Sequence, residues 1–96
     1  MNEPEMPTLP DGVRPFHRTP DFSAETMPEA LGQRHQTKAD VWGTLVVRRG
    51  TVDYHVLGDA PATHHLDVER TGIIAPATPH KVSPSADALF YVEFYR

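Results

Sequence analysis

Proline is the residue that most constrains how this chain can fold. Ten prolines are spread over 96 residues, and six of them fall at or before Pro28. Because proline fixes its φ angle and donates no backbone hydrogen bond, this part of the chain can hold neither a long helix nor a central strand. We therefore expect residues 1–8 to form a flexible tail and residues 9–20 to be extended chain with turns.

After Leu31 the sequence predicts a series of short strands separated by turns. The predicted strands cover residues 41–47, 51–57, 64–68, 73–75 and 88–95. No segment keeps helical periodicity for three turns. This pattern predicts an all-β sandwich or barrel, a single domain over residues 9–96. A chain of this length buries only about two-thirds of its unfolded surface, which favours a homodimer.

Composition and charge exclude several classes of protein. The sequence has no cysteine, which excludes disulfides, iron–sulfur clusters, cysteine-rich zinc sites and a cysteine nucleophile. The formal net charge is -4, and Arg48 and Arg49 are the only adjacent basic pair, so no nucleic-acid partner is expected. No apolar run approaches the roughly 18 residues of a membrane span, and the N-terminus lacks the apolar core of a signal peptide. We therefore expect a cytoplasmic protein with no membrane partner.

The last predicted strand carries one carboxylate. Its alternation places Glu93 on the face that also carries Tyr91 and Tyr95, and both faces are otherwise apolar. A covered carboxylate needs a counter-charge, hydrogen bonds or a metal ion. Glu93 is therefore predicted to pair with an arginine or lysine, to lie near a frayed and hydrated strand end, or to face a barrel interior and serve a site there.

The sequence has six histidines, and two of them are candidate ligands. His80 follows a segment bracketed by prolines, residues 76–79, which would hold its imidazole in a fixed direction. His35 precedes the predicted strand 41–47. Two imidazoles and one carboxylate would suit a divalent metal such as zinc, iron, nickel or manganese. The remaining histidines are expected at the surface: His17, His55, His64 and His65.

Two motifs resemble those of the cupin family. The first is carried by Gly32, His35, Trp42, Gly43, Leu45, Val47, Gly50 and Tyr54. The second covers residues 72–82, with Ala75 and Ala77 at its proline and glycine positions and His80 at its histidine position. The first motif departs from the family pattern, because Thr37 stands at the second histidine position and Gly43 near the glutamate position. The full cupin metal set is therefore not in place.

More closely, the chain resembles the cupin-like domains related to the N-terminal domain of tellurite-resistance protein B. The matching residues are Leu9, Pro10, Gly12, Arg18, Thr19, Pro20, Phe22, Thr26, Pro28, His35, Thr37, Lys38, Val41, Trp42, Gly43, Pro79, His80, Phe90, Val92, Glu93, Phe94 and Tyr95. The resemblance implies a single-domain cupin-like β-barrel, a double-stranded β-helix or jelly roll, with a proline-rich N-terminal arm. In tellurite-resistance protein B this domain is fused to a methyltransferase that uses S-adenosylmethionine. A chain of 96 residues has no room for that second domain, so we do not carry that activity over.

The resemblance also implies a site inside the barrel. His35, His80 and Glu93 fall on matching positions and are predicted to bind a divalent metal, which would be zinc, iron, nickel or manganese. Lys38 would orient an anionic ligand, or pair with Glu93 in a barrel that holds no metal. Trp42 would line the ligand pocket or fill the core.

Three functions remain open from the sequence. The first is a domain that binds a divalent metal, a small molecule or an oxyanion in its barrel, with a ligand pocket that includes Lys38, Trp42 and Tyr91. The second is a metal-dependent enzyme of the oxygenase or isomerase type. The third is a structural or sensory dimer without a metal.

Overall fold

The computed structural model describes residues 5–96, and its regular structure is almost entirely β. The elements, in order, are β1 (Pro15–Arg18), β2 (Phe22–Ser23), the 3-10 helix η1 (Glu29–Gly32), β3 (Trp42–Arg49), β4 (Val52–Val56), β5 (Ala62–Leu66), β6 (Gly72–Ile74), β7 (His80–Pro84) and β8 (Leu89–Tyr95). The predicted all-β class is confirmed. Within residues 5–96, no helix is long and apolar enough to cross a membrane.

The strands form two antiparallel sheets. The five-stranded sheet has the order β1-β8-β3-β6, with β2 also paired to β8, and the three-stranded sheet has the order β5-β4-β7. Each named strand of residues 5–96 pairs only within its own sheet, so the backbone ladders do not join into the closed barrel that the resemblance implies.

The proline-rich N-terminal segment lies along the edge of β8. Strands β1 and β2 pair with β8, and Thr19 joins it between them: the Thr19 N–H donates to the Val92 carbonyl at 2.9 Å, and the Val92 N–H donates to Thr19 Oγ1 at 3.0 Å. This extended backbone agrees with the prediction for residues 9–20. The predicted tail falls partly outside the described residues, which begin at Glu5, and Met6 packs against the core.

The core lies between the inner faces of the two sheets. Its largest fully buried side chains come from both of them and include Phe90 and Leu45 from the five-stranded sheet, and Tyr54, Leu66 and Val52 from the three-stranded sheet. Alternate residues of each strand point to opposite faces, so every second side chain enters this layer. The arrangement is a small sandwich with one apolar interior.

The turn between β3 and β4 carries the chain from one sheet to the other, and Gly50 occupies it. Gly50 has a φ of +71°, in the region that favours glycine. A Cβ atom added there would lie 2.7 Å from Ser85 Oγ and 2.9 Å from the Cα atom of Ala88. The turn is therefore packed directly against the loop between β7 and β8.

Candidate functional site

A cavity of about 200 Å³ opens between the sheets beside η1, and we call it the inner cavity. It is lined by Thr19, Phe22, Pro28, Ala30, Leu31, His35, Thr37, Leu45, Ile74, His80, Val82, Val92 and Phe94. Most of these side chains are apolar, and the polar ones are two histidines and two threonines. An apolar cavity with a few polar groups is the usual form of a small-molecule site.

The two candidate histidines meet at the wall of the inner cavity. His35 and His80 form an isolated antiparallel bridge in which each backbone N–H donates to the other residue's carbonyl at 2.8 Å. Their ring centroids are 5.6 Å apart, and the rings meet edge to face at 72°. The predicted proximity of these two side chains is therefore seen, and the backbone bridge fixes it.

His80 has a defined tautomer because of its neighbour two residues earlier. Its Nδ1 lies 2.8 Å from the Thr78 carbonyl, which can only accept a hydrogen bond, so the proton is on Nδ1. Nε2 is then a lone-pair acceptor. His80 is 2% exposed, and its ring also meets the Tyr54 ring with centroids 5.4 Å apart. Burial lowers the pKa of His80 below its ordinary value, and His35 lowers it further, although the Thr78 carbonyl acts in the opposite direction.

The turn before His80 explains how the Thr78 carbonyl reaches the ring. Ala77 adopts a φ of +54°, the one non-glycine residue with positive φ among residues 5–96. A left-handed conformation costs a residue with a Cβ on the order of 1 kcal/mol. The strained residue lies in the segment bracketed by Pro76 and Pro79, where the chain turns just before β7.

His35 has a buried nitrogen without a partner. Its Nδ1 is shielded from solvent and forms no hydrogen bond with any residue of the described chain. Leaving a buried polar atom unpaired costs about 1–3 kcal/mol, and each such atom in a native fold calls for an explanation. Because this ring packs against that of His80, the cost lies at the wall of the inner cavity.

The pKa of His80 makes the stability of the domain depend on pH. Since burial holds this pKa below the ordinary 6.5, the unfolded chain binds a proton at a higher pH than the folded one. The free energy of unfolding should therefore fall as the pH is lowered below about 6.5. His80→Gln removes the imidazole that takes up this proton. The stability of the variant should therefore fall less steeply between pH 6.5 and pH 5. Urea unfolding of both proteins across this range measures the two slopes, and parallel curves would contradict the prediction.

A second cavity, of about 240 Å³, adjoins the first, and we call it the cationic cavity. It is lined by Phe16, His35, Gln36, Thr37, Lys38, Val41, Phe94 and Arg96. Three of these residues, His35, Thr37 and Phe94, also line the inner cavity. The two cavities therefore share a wall, and one of them carries two cationic side chains.

Four other residues were predicted to belong to the site. Lys38 lines the cationic cavity, whereas Trp42, Tyr91 and Glu93 lie on the outer face of the five-stranded sheet. Val92 and Phe94 face the inner cavity, so the intervening Glu93 points to the other side of β8. There Glu93 Oε1 accepts a hydrogen bond from the Tyr95 hydroxyl at 3.2 Å. The structure therefore does not bring Glu93 to the two histidines. No group of three His, Cys, Asp or Glu side chains within residues 5–96 could hold a metal ion.

Trp42 and Tyr91 share the outer face with Glu93 and line neither cavity. Trp42 pairs with Tyr95 across the strands, and the guanidinium of Arg18 lies 3.7 Å from the centroid of the Tyr91 ring. Lys38 forms no ion pair with Glu93 in the described part of the chain. The pocket predicted from Lys38, Trp42 and Tyr91 is therefore divided between two faces of one sheet.

The remaining histidines are placed as predicted, with one exception. His17 and His65 are exposed, and His55 is half-buried on the outer face of the three-stranded sheet, where its ring nitrogens contact Thr63 and Ser83. The surface prediction for His64 is wrong: this residue is 2% exposed. It alternates inward with Leu66 on β5.

Sequence reasoning missed the residues that close the inner cavity beside η1. Leu31 and Ala30 belong to η1, and Phe22 lies in β2, with its ring 5.8 Å from that of Phe90. The sequence signal that could have identified them is a set of isolated apolar side chains in a proline-rich segment whose strands are too short to bury them. Thr37, which stands at the second histidine position of the first cupin motif, is 7% exposed and lines both cavities.

A protein-family model described as a TehB-like domain matches residues 17–92 of this chain. The chain belongs to the TehB-like domain family. The match includes His35 and His80, the central strands and most of β8, so the predicted relation to tellurite-resistance protein B is confirmed. The match does not by itself confirm a cupin barrel.

Curated relatives of this TehB-like domain are longer proteins. Two are described as "Probable S-adenosyl-L-methionine-dependent methyltransferase TehB", from Haemophilus influenzae strains 10810 and KW20, and each is 27% identical over 78 residues. The alignment covers 77% of this chain but 27% of each relative. The chain therefore spans about a quarter of the length of these relatives.

Two solved structures share the fold. TehB from Haemophilus influenzae superposes with a TM-score of 0.82 at 26% identity, over 88% of this chain and 32% of that one. A protein from Escherichia coli strain K12 superposes with a TM-score of 0.85 at 21% identity, over 95% of this chain and 97% of that one. The second likeness shows that the TehB-like fold occurs in a protein of nearly the same length.

Proposed function

We propose that this TehB-like domain binds a small, largely apolar molecule in the inner cavity, with a polar hydrogen of that molecule donated to His80. The observation that carries the proposal is the fixed tautomer of His80, whose Nδ1 is held by the Thr78 carbonyl and whose Nε2 is left as an acceptor. The ring of His35, whose Nδ1 has no hydrogen-bond partner in the described chain, packs against the ring of His80. Nε2 of His80 is therefore the ring nitrogen that the proposal assigns to the ligand.

Size and charge narrow the class of ligand. An apolar cavity of about 150 Å³ can bind benzene, so the inner cavity has room for one ring with a short substituent. Its lining contains no lysine or arginine, and burial keeps the His80 imidazole neutral near pH 7 by lowering its pKa. A bare oxyanion would lose its hydration there without gaining a counter-charge. The inner cavity therefore favours an apolar ligand over an oxyanion.

The metal and the barrel stay predictions that the described residues support less well. The three-residue set of His35, His80 and Glu93 does not fit a divalent metal, because Glu93 lies on the outer face of β8. The alternation of successive strands between the two sheets, as from β3 to β4 and from β7 to β8, supports a cupin-like jelly roll without closed ladders. The geometry of the site adds no support for dimerisation or for an enzymatic reaction.

Benzyl alcohol is a suitable probe for the proposed site, because it combines one ring with one hydroxyl. We expect it to perturb backbone amide signals around the inner cavity in the wild-type protein. Ala30→Trp should weaken this binding at least tenfold, because Ala30 is exposed yet lines the cavity, so a larger side chain there occludes it. His80→Phe should weaken it about tenfold by removing the acceptor, which corresponds to roughly 1.4 kcal/mol.

The matched control is Ala39→Trp. Ala39 is also exposed but lines neither cavity, so this variant should bind benzyl alcohol as the wild-type protein does. Titrations followed by two-dimensional NMR give the affinities and show whether each variant is folded. Equal affinity in wild-type protein and Ala30→Trp, or no binding to the wild-type protein, would refute the proposed function.

A further inference from the structure

We infer that the ligand is a small amphiphilic anion, with an apolar body that donates its polar hydrogen to His80 in the inner cavity and a carboxylate or similar group in the cationic cavity. This inference rests on the proposed function and adds the charge and polarity of its ligand. The two cavities share the wall formed by His35, Thr37 and Phe94. The two cavities adjoin at these residues, so a ligand that bound in both would pass along this shared lining to reach Lys38 and Arg96.

Lys38 is free to bind an anion. Its side chain is exposed and forms neither an ion pair nor a hydrogen bond with any residue between 5 and 96. It directly follows Thr37, which is 7% exposed and lines both cavities. The Lys38 carbonyl accepts a hydrogen bond from the Val41 N–H at 3.1 Å, which fixes the turn that carries the side chain.

Arg96 is oriented by its neighbours without being neutralised. Its guanidinium lies 4.3 Å from the centroid of the Phe16 ring, a cation–π contact that leaves the N–H donors open to an anion. Its backbone N–H and carbonyl pair with Arg14 at 3.2 and 3.1 Å. Among residues 5–96, no aspartate or glutamate side chain lines the cationic cavity. Two cationic side chains therefore line one space with no acidic side chain from the described part of the chain.

The chemistry of these groups favours a carboxylate or phosphate at the end of an apolar body. An arginine guanidinium can donate two parallel hydrogen bonds to a carboxylate, and a lysine adds a point charge. Gln36 also lines this cavity and supplies an amide donor. Because both cations are exposed, solvent and salt screen them, so we expect the anionic group to raise affinity about tenfold.

The test compares 3-(4-hydroxyphenyl)propanoate with 3-(4-hydroxyphenyl)-1-propanol, which share a ring whose hydroxyl can donate to His80 and which differ in charge. Calorimetric titration of the wild-type protein at low ionic strength should show about tenfold tighter binding of the acid, and 0.5 M sodium chloride should reduce that ratio. Replacing both cations, by Lys38→Gln with Arg96→Gln, should abolish the preference by lowering the affinity for the acid to that for the alcohol. Lys81→Gln is the matched control, because Lys81 is exposed on β7 and lines neither cavity.

The outcomes separate this inference from the proposed function. Equal affinity for the acid and the alcohol would overturn the inference while leaving the proposed function intact. Binding of neither molecule would overturn both. Tellurite or sulfate bound as tightly as 3-(4-hydroxyphenyl)propanoate would show that the apolar body contributes nothing. An acid preference that survives the double substitution would show that Lys38 and Arg96 are not its source.

Discussion

Replacing Phe90 with alanine should remove about 3–5 kcal/mol from the free energy of unfolding. Phe90 is 0% exposed, and it lies in β8, the strand that joins most of the five-stranded sheet. Its ring also meets that of Phe22 edge to face, with centroids 5.8 Å apart. The truncation would leave a void that the surrounding strands cannot fill. Urea unfolding followed by circular dichroism measures the loss.

Phe16→Ala is the matched control for this change. Phe16 is 48% exposed, so the same truncation removes little buried surface and should cost about 1 kcal/mol or less. Since small domains are stable by only about 5–15 kcal/mol, the Phe90 variant is expected to unfold at much lower urea concentration than the Phe16 variant. Similar midpoints for the two variants would mean that the core does not lie between the sheets as described.

Gly50→Ala should cost about 2–4 kcal/mol of stability, the second-largest effect that we expect. The left-handed backbone at φ +71° costs an alanine on the order of 1 kcal/mol. The new Cβ would also lie 2.9 Å from the Cα atom of Ala88, and relieving that overlap costs about 1–3 kcal/mol more. Chemical denaturation gives the difference in unfolding free energy.

Gly58→Ala separates the two causes. Gly58 also has a positive φ, +104°, but a Cβ there would meet no atom within 4 Å. This variant should therefore lose only the backbone contribution, about 1–2 kcal/mol. If it loses as much as Gly50→Ala, steric contact at the turn between β3 and β4 is not what requires glycine.

Strands were predictable where apolar side chains alternate along the chain. The prediction for residues 51–57 is close to β4, Val52–Val56, and that for residues 88–95 is close to β8, Leu89–Tyr95. Strand β7 was not predicted, because Lys81, Ser83 and Pro84 make its sequence look like a loop. It tolerates Pro84 because it pairs only with β4, at the edge of its sheet.

The candidate site, like the strands, was predictable only in part. The match of His35 and His80 to family motifs brought the right pair together, and the structure shows the backbone bridge that joins them. Alternation along β8 correctly grouped Glu93 with Tyr91, but it could not say which face of the strand meets the other sheet. That choice depends on Phe90 and Val92 packing against the second sheet, a contact between residues distant in sequence.

Two features beside the inner cavity reduce stability where the proposed ligand would bind. Ala77 is held at a φ of +54°, and the Nδ1 atom of His35 is buried without a hydrogen-bond partner in the described chain. Costs of this kind concentrate at functional sites, because the geometry that serves a ligand differs from the one that maximises stability. Both costs lie next to the His80 ring, since the Ala77 turn precedes it and the His35 ring packs against it.

The position of β8 has a consequence for how the protein is made. This strand follows in sequence every strand with which it pairs, and it lies between β3 on one side and β1 and β2 on the other. During synthesis on the ribosome, β1, β2 and β3 therefore emerge before β8. The edges that pair with β8 stay unpaired until most of the chain has been translated. Unpaired edges invite aggregation. The prolines around β1 and β2 would hinder these waiting segments from pairing with other nascent chains.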